Sequence, residues 1–189
     1  MHLPRRAQGL TLIELLMFIA VVGIALAAML RLFVTATTAS ADPMIRRQQL
    51  AIAESLLREV QLMPFTWCDP TDANVATATS AVVSATGCAV LIESSGPESG
   101  ETRYGPTNYF NNVNDYAGFS MTGIRDLNNA AVAGLSGYTA SVAVAAAALD
   151  TLTVGSGDAL KITVTVTGPD SSSLTLQGWR TRYAPNSPF

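Results

Sequence analysis

Gln8-Gly9-Leu10-Thr11-Leu12-Ile13-Glu14 leads directly into the uncharged apolar run Leu15 to Leu30. A carboxylate therefore stands at the mouth of a membrane-length apolar segment. A charge held in hydrocarbon costs roughly 2.5–3.5 kcal/mol on insertion scales, so Glu14 either lies near the interface or is kept for a purpose. Residues 15–30 alone make about 24 Å of helix at 1.5 Å per residue. Adding Leu10 to Ile13 and Leu32 to Val34 takes the span past the roughly 30 Å of bilayer hydrocarbon.

Working outward, Arg5 and Arg6 lie upstream of the apolar run and the small residue Gly9 sits immediately before Leu10. This arrangement resembles the class III signal of type IV pilins and type II secretion pseudopilins. The resemblance implies cleavage by prepilin peptidase between Gly9 and Leu10 and N-methylation of the new terminus at Leu10. Glu14 then becomes the fifth residue of the mature chain. Leu10 departs from the Phe or Met that the family usually carries after the cut. Cleavage would create a positive amine on Leu10, and helices staggered in a filament would bring that amine near Glu14 of another copy. A buried pair of opposite charges costs far less than either charge alone, so the pair would act as a register device in assembly. The implied partners are other pilin subunits, prepilin peptidase, the inner-membrane pilus assembly machinery and membrane lipid, with no cofactor.

A second reading of the same segment rests on Thr38-Ala39-Ser40-Ala41 before Asp42, which fits the small-residue pattern of ordinary signal peptidase. It weighs less. The apolar core exceeds the usual 7–15 residues, it contains Glu14, and Arg31 separates it from the proposed cut. The Arg5-Arg6 pair is a poor twin-arginine match.

The chain has 189 residues, 49% of them hydrophobic and only 13% charged, which suits one domain behind an N-terminal helix. The formal charge is -3; loss of residues 1–9 removes Arg5 and Arg6 and leaves 9 basic against 14 acidic residues, or -5. That balance argues against nucleic-acid binding, which needs a basic face. His2 is the one histidine and would leave with the leader. With it goes any Ser-His-Asp set. There is also no Gly-rich phosphate loop followed by Lys and Ser or Thr. Glu98 and Glu101 lie in a Gly/Pro/Ser/Glu loop over 94–105, where they are expected to be solvated. The expectation is a structural, non-enzymatic protein.

Pro43 follows Asp42, which is biased away from helix, so a kink or break is expected at about 42–43. A second helix follows, with Leu50, Ala53, Leu57 and Val60 on one face, ending at Pro64. Cys68 and Cys88 have no CxxC spacing, so a redox or zinc site is not expected. In an exported chain they are expected to pair, two free thiols being the alternative. Residues 89–93 read as a short strand. Asn111, Asn112, Asn114 and Asp115 offer oxygens of the kind calcium takes. With one certain carboxylate among them, a turn capped by its own side chains is the expectation, and no metal.

The last third reads as sheet. Tyr138, Ala140, Val142 and Val144 fall on one face; Leu160, Ile162, Val164 and Val166 alternate with Lys161, Thr163, Thr165 and Thr167. Ser173 to Tyr183 returns as a partner, with Leu174 and Leu176 on one face and an irregularity at Gly178. Asn112-Val113-Asn114-Asp115-Tyr116 with Gly118-Phe119, the stretch Leu56 to Cys68, and Gly137-Tyr138 resemble minor pilins of the MshD type, from mannose-sensitive haemagglutinin pili. The expected fold is α+β: a long N-terminal helix, half transmembrane and half amphipathic, packed on an antiparallel pilin-like β-sheet. Its parts are a leader over 1–9, a transmembrane helix over 10–34, an amphipathic helix over 35–63 and a globular sheet domain over 64–189. The expected location is the inner membrane with a single pass, Arg5 and Arg6 inside, and then the extracellular pilus. A type II secretion pseudopilin, and an exported or membrane-anchored binding domain, are the alternatives.

Overall fold

The computed structural model describes residues 11–105 and 107–182, and the side chains of all of these except 35–42. Gly9 and Leu10, with His2, Arg5 and Arg6, and the tail over 184–189 lie outside the described residues. The chain divides into two compact units, the first ending at Met44 and the second beginning at Ile45.

Helix α1 spans Leu12–Leu62, 51 residues, with Pro43 inside it. Of the kink or break expected at about 42–43, a break is not found: the helix runs through Pro43. A proline removes one N–H from the ladder and crowds the carbonyl four residues back, a local cost that the turns on either side outlast. The helix ends instead before Pro64. There the preceding residue is pushed away from helical angles, and the Met63 N–H bonds back to the Val60 carbonyl at 3.2 Å.

In the second unit the buried stripe of α1 is Gln49, Ile52, Ala53, Leu56 and Val60, with Ile45 and Leu57 half-buried beside it. These positions follow the i, i+3, i+4 spacing of one helical face. Leu50, placed on that face by the sequence, points outward instead. Gln49 takes its place because its amide is satisfied: Nε2 donates to the Ser172 carbonyl at 2.7 Å and to Ser172 Oγ at 3.0 Å. A buried amide with both bonds made avoids most of the cost of desolvation.

The stripe packs on one four-stranded antiparallel sheet in the order β1 (Ser120–Thr122), β2 (Thr139–Ala146), β3 (Ala159–Thr167), β4 (Ser173–Thr181). Leu160, Ile162, Val164 and Val166 of β3 are all buried, and Tyr138, Ala140 and Val142 join them from β2 and its approach. The opposite face carries a hydroxyl ladder, Thr165 to Thr175 at 3.1 Å and Thr167 to Ser173 at 2.9 Å. Pairing of β3 with β4 runs unbroken through Ile162 and Gly178, so the irregularity expected at Gly178 is absent. Its lack of a side chain serves packing: a Cβ there would lie 2.5 Å from Gln61 Nε2 and 3.0 Å from Leu57 Cδ1 of α1.

Between α1 and β1 the chain has little regular structure, and polar anchors hold it. Residues 89–93 form no strand; Ile92 makes only an isolated bridge to Cys68. The Asp72 carboxylate takes the N–H groups of Ala89, Val90 and Leu91 at 2.9, 2.8 and 2.7 Å, so these donors are spent on a side chain and not on a ladder. Those three bonds, with that of the Asn74 N–H, hold the Asp72 carboxyl well below the usual carboxylate range.

Cys68 and Cys88 are joined in a disulfide with Cα atoms 5.4 Å apart, and both are fully buried beside Val75 and Ala78. Closing a loop of sequence separation 20 contributes about 3 kcal/mol in the chain-entropy account. Replacing both cysteines by serine in the full chain is therefore expected to lower the melting temperature by roughly 6–12 °C, at 2–4 °C per kcal/mol. Scanning calorimetry of the detergent-solubilised protein checks this, and a shift below about 2 °C would show that the loop is held by its other anchors.

Candidate functional site

Two features stand apart from the packed core. The first is the start of α1. Leu12–Val34 forms 23 residues of apolar helix of mean hydropathy 2.6, none of it buried within the chain. Leu12, Ile24 and Phe33 expose 77%, 73% and 76% of their surface. Apolar area on this scale marks a surface meant for lipid or for other chains. At 1.5 Å per residue it is about 34 Å long, enough to cross a bilayer. Glu14 lies in the first turn, where the Glu14 and Leu15 N–H groups both bond to the Thr11 carbonyl at 3.1 and 3.2 Å. A carboxylate in that turn is favoured by the unpaired N–H groups of the helix N-terminus.

The second feature was not visible as a site in the sequence. Glu98 and Glu101, expected to be solvated in a loose loop, are drawn inward. One carboxylate oxygen from each of Glu98, Glu101 and Asp115 lies within 4.8 Å of the others, and Glu98 shares a second such group with Asp69 and Glu93. Five carboxylates therefore meet around Glu98.

Backbone and side-chain donors fix their orientation. Asp115 is fully buried, and its Oδ2 accepts the N–H groups of Asn111 and Asn112 at 2.7 and 2.8 Å. That is the capped turn expected from the asparagine run. Asn112 is itself buried and spent: its Nδ2 donates to Thr66 Oγ1 at 2.9 Å. Glu101 Oε1 accepts from Asn111 Nδ2 at 2.7 Å, and its Oε2 accepts the Glu98 N–H at 3.2 Å. Ser94 donates to Glu98 Oε1 through Oγ at 3.2 Å.

The crowding shows in the acidities. Burial first, then the charges of Asp115, Glu98, Asp69 and Glu101, push Glu93 up to about 9. Burial and then Asp115 raise Glu101 to about 7. Burial raises Asp115 to about 6 against the opposing pull of the Asn112 and Asn111 N–H groups. A usable sequence signal existed: in a chain with 13% charged residues, Glu93, Glu98, Glu101 and Asp115 concentrate acid within a short stretch.

Residues 4–30 match the family model described as the prokaryotic N-terminal methylation motif. No curated protein and no solved structure matches the chain. That motif supports a prepilin-like substrate of the type IV pilin or pseudopilin kind, and the apolar helix Leu12–Val34, the one of its kind among the described residues, fits membrane anchoring.

Proposed function

We propose that the chain is a minor type IV pilin of the MshD type, a non-enzymatic subunit of a pilus filament with a part in pilus biogenesis and adhesion. On this reading prepilin peptidase cuts between Gly9 and Leu10, Leu10 is methylated, and residues 10–34 hold the subunit in the inner membrane. Assembly then moves those helices into the filament core and places the sheet domain outside. The observation that carries the reading is the methylation motif over residues 4–30, continuous with an unburied apolar helix that bears one carboxylate, Glu14. The MshD assignment rests on the resemblance of residues 56–68, 112–119 and 137–138. Glu14 is given the role of partner to the Leu10 amine of a neighbouring copy.

Mass analysis of the mature N-terminus in membranes and in sheared filaments tests the processing step. The expected result is a methylated amine on Leu10. A chain beginning at Asp42 would instead establish cleavage by ordinary signal peptidase. Deletion separates pilus from secretion: loss of pili and adhesion with normal exoprotein release is expected, and the reverse pattern would make the chain a type II secretion pseudopilin.

A further inference from the structure

The acidic cluster of the second unit lies outside anything the pilin reading uses. An assembly of carboxylates is no site by itself, but two of its members point to a ligand. Asp115 is fully buried, yet its Oδ1 has no hydrogen-bond partner among the described residues. Glu93 is 8% exposed, and neither of its oxygens has a partner there. Glu98 Oε2 and Asn111 Oδ1 are buried and unpartnered as well. No ion pair joins any of the five carboxylates to a basic side chain among the described residues; the nearby Arg182 pairs with Asp158 at 3.5 Å and lies over the rings of Phe65 and Trp67 at 3.8 and 3.9 Å. A buried acceptor left without a donor costs roughly 1–3 kcal/mol, and more when charged. Several such acceptors facing one another call for a shared proton or a cation between them.

We propose that this cluster is a calcium site, with Glu98, Glu101 and Asp115 as its ligands and Glu93 and the Asn111 side-chain oxygen completing the shell. The donor set is all oxygen, which selects hard cations and disfavours zinc and copper. Calcium binds six to eight oxygens at about 2.3–2.6 Å, so ligands on opposite sides of one ion lie about 4.6–5.2 Å apart. The mutual limit of 4.8 Å within each group of three suits a single ion of that size. Magnesium demands near-ideal octahedral geometry at about 2.0–2.1 Å and keeps its waters, which a crowded, largely protein-lined shell does not favour. The ion would tie the 93–101 loop to the Asn114–Tyr116 turn, where regular secondary structure gives no support. The inference stands on the globular unit alone and does not depend on the pilin reading.

The test is thermal unfolding of the full chain in detergent, after chelation, with calcium or magnesium added back to millimolar concentration. Calcium is expected to raise the melting temperature by at least about 5 °C, and magnesium by much less. Glu98→Gln and Asp115→Asn each remove a charge from the cluster. Without calcium they should melt at or above the wild type, because fewer like charges are buried together. With calcium they should melt below it, having lost the response. A chelated wild type that gains nothing from calcium overturns the site. So does a calcium response that both variants retain, which would put the ion elsewhere. An equal response to magnesium overturns the choice of ion. Should Asp115→Asn fail to fold through loss of its turn, Glu98→Gln and Glu93→Gln carry the same comparison.

Discussion

A chain in which Glu14 is replaced by alanine is expected to reach the membrane at the wild-type level and to fall on the order of thirty-fold in filaments. The apolar helix Leu12–Val34 is not covered by the rest of the chain, and a membrane segment gains, not loses, membrane affinity when its one carboxylate is removed. Assembly is different. Truncating one member of a buried, hydrogen-bonded charge pair costs about 2–5 kcal/mol, mostly by leaving the other charge unpaired. At 1.4 kcal/mol per tenfold, the lower end of that range already gives the stated loss. On the proposed processing, the stranded charge would be the Leu10 amine that cleavage would create, with no other anion along the uncharged run Leu15 to Leu30. Glu14→Asp keeps the charge on a shorter stem and is expected to recover part of the incorporation. Immunoblots of sheared filaments against membranes give the ratio. Incorporation within about twofold of wild type would remove Glu14 from the register and leave it an interfacial residue.

The parts of this molecule that a sequence shows plainly are those whose burial repeats with the period of their own element. β3 is the clearest case: Leu160, Ile162, Val164 and Val166 alternate with Lys161, Thr163, Thr165 and Thr167, and the buried face is the apolar one. The α1 stripe was legible in part. Counting apolar residues alone brought in Leu50 and passed over Gln49, whose burial depends on Ser172 far away in the chain. β1 is three residues long, too short for any period to register. Pro43 reads as a kink or break because the cost of a proline is local and visible in the sequence, whereas the support from the turns around it is not.

The acidic cluster was legible only as a local excess of acid, not as a site, for a related reason. Glu98 and Glu101 sit in a stretch rich in Gly, Pro and Ser, where charge is ordinarily solvated. What turns them inward is set elsewhere: the Cys68–Cys88 bridge and the Asp72 anchor place residues 88–93, and the Asp115 cap closes the turn at 111–115. Each of these is a side-chain contact at long or irregular spacing, so composition shows the excess of acid but not that it is turned inward.

Glu59→Ala is expected to cost about 3–5 kcal/mol of stability, the range for removing one partner of a buried ion pair. Arg103 and Glu59 are joined in a two-pronged pair, Nε to Oε1 and Nη2 to Oε2, both at 2.7 Å, with side chains 6% and 17% exposed. Burial works against the Arg103 charge, and the hydrogen bonds and charge of Glu59 outweigh it. The same Oε1 takes the Tyr116 hydroxyl at 2.7 Å, so one carboxylate ties α1 both to the chain before β1 and to the ring cluster of Phe110, Tyr116 and Phe119. Without it, a guanidinium and a phenol remain buried, and the Arg125 carbonyl at 3.1 Å from Nη1 is the hydrogen-bond partner left to Arg103. Against a typical total of about 5–15 kcal/mol for a domain, that loss is a large fraction. Arg103→Met alone strands Glu59 and should cost a similar amount. The double variant Glu59→Ala with Arg103→Met should fall short of the sum of the two by about 0.5–3 kcal/mol, as contacting residues do, because the charge each single change leaves unpaired is gone. Urea unfolding of the four proteins closes the cycle. Additive losses, or a Glu59→Ala change of less than about 1 kcal/mol, would show that the Glu59–Arg103 pair adds little to the apolar stripe and the Gln49–Ser172 bonds that already hold α1.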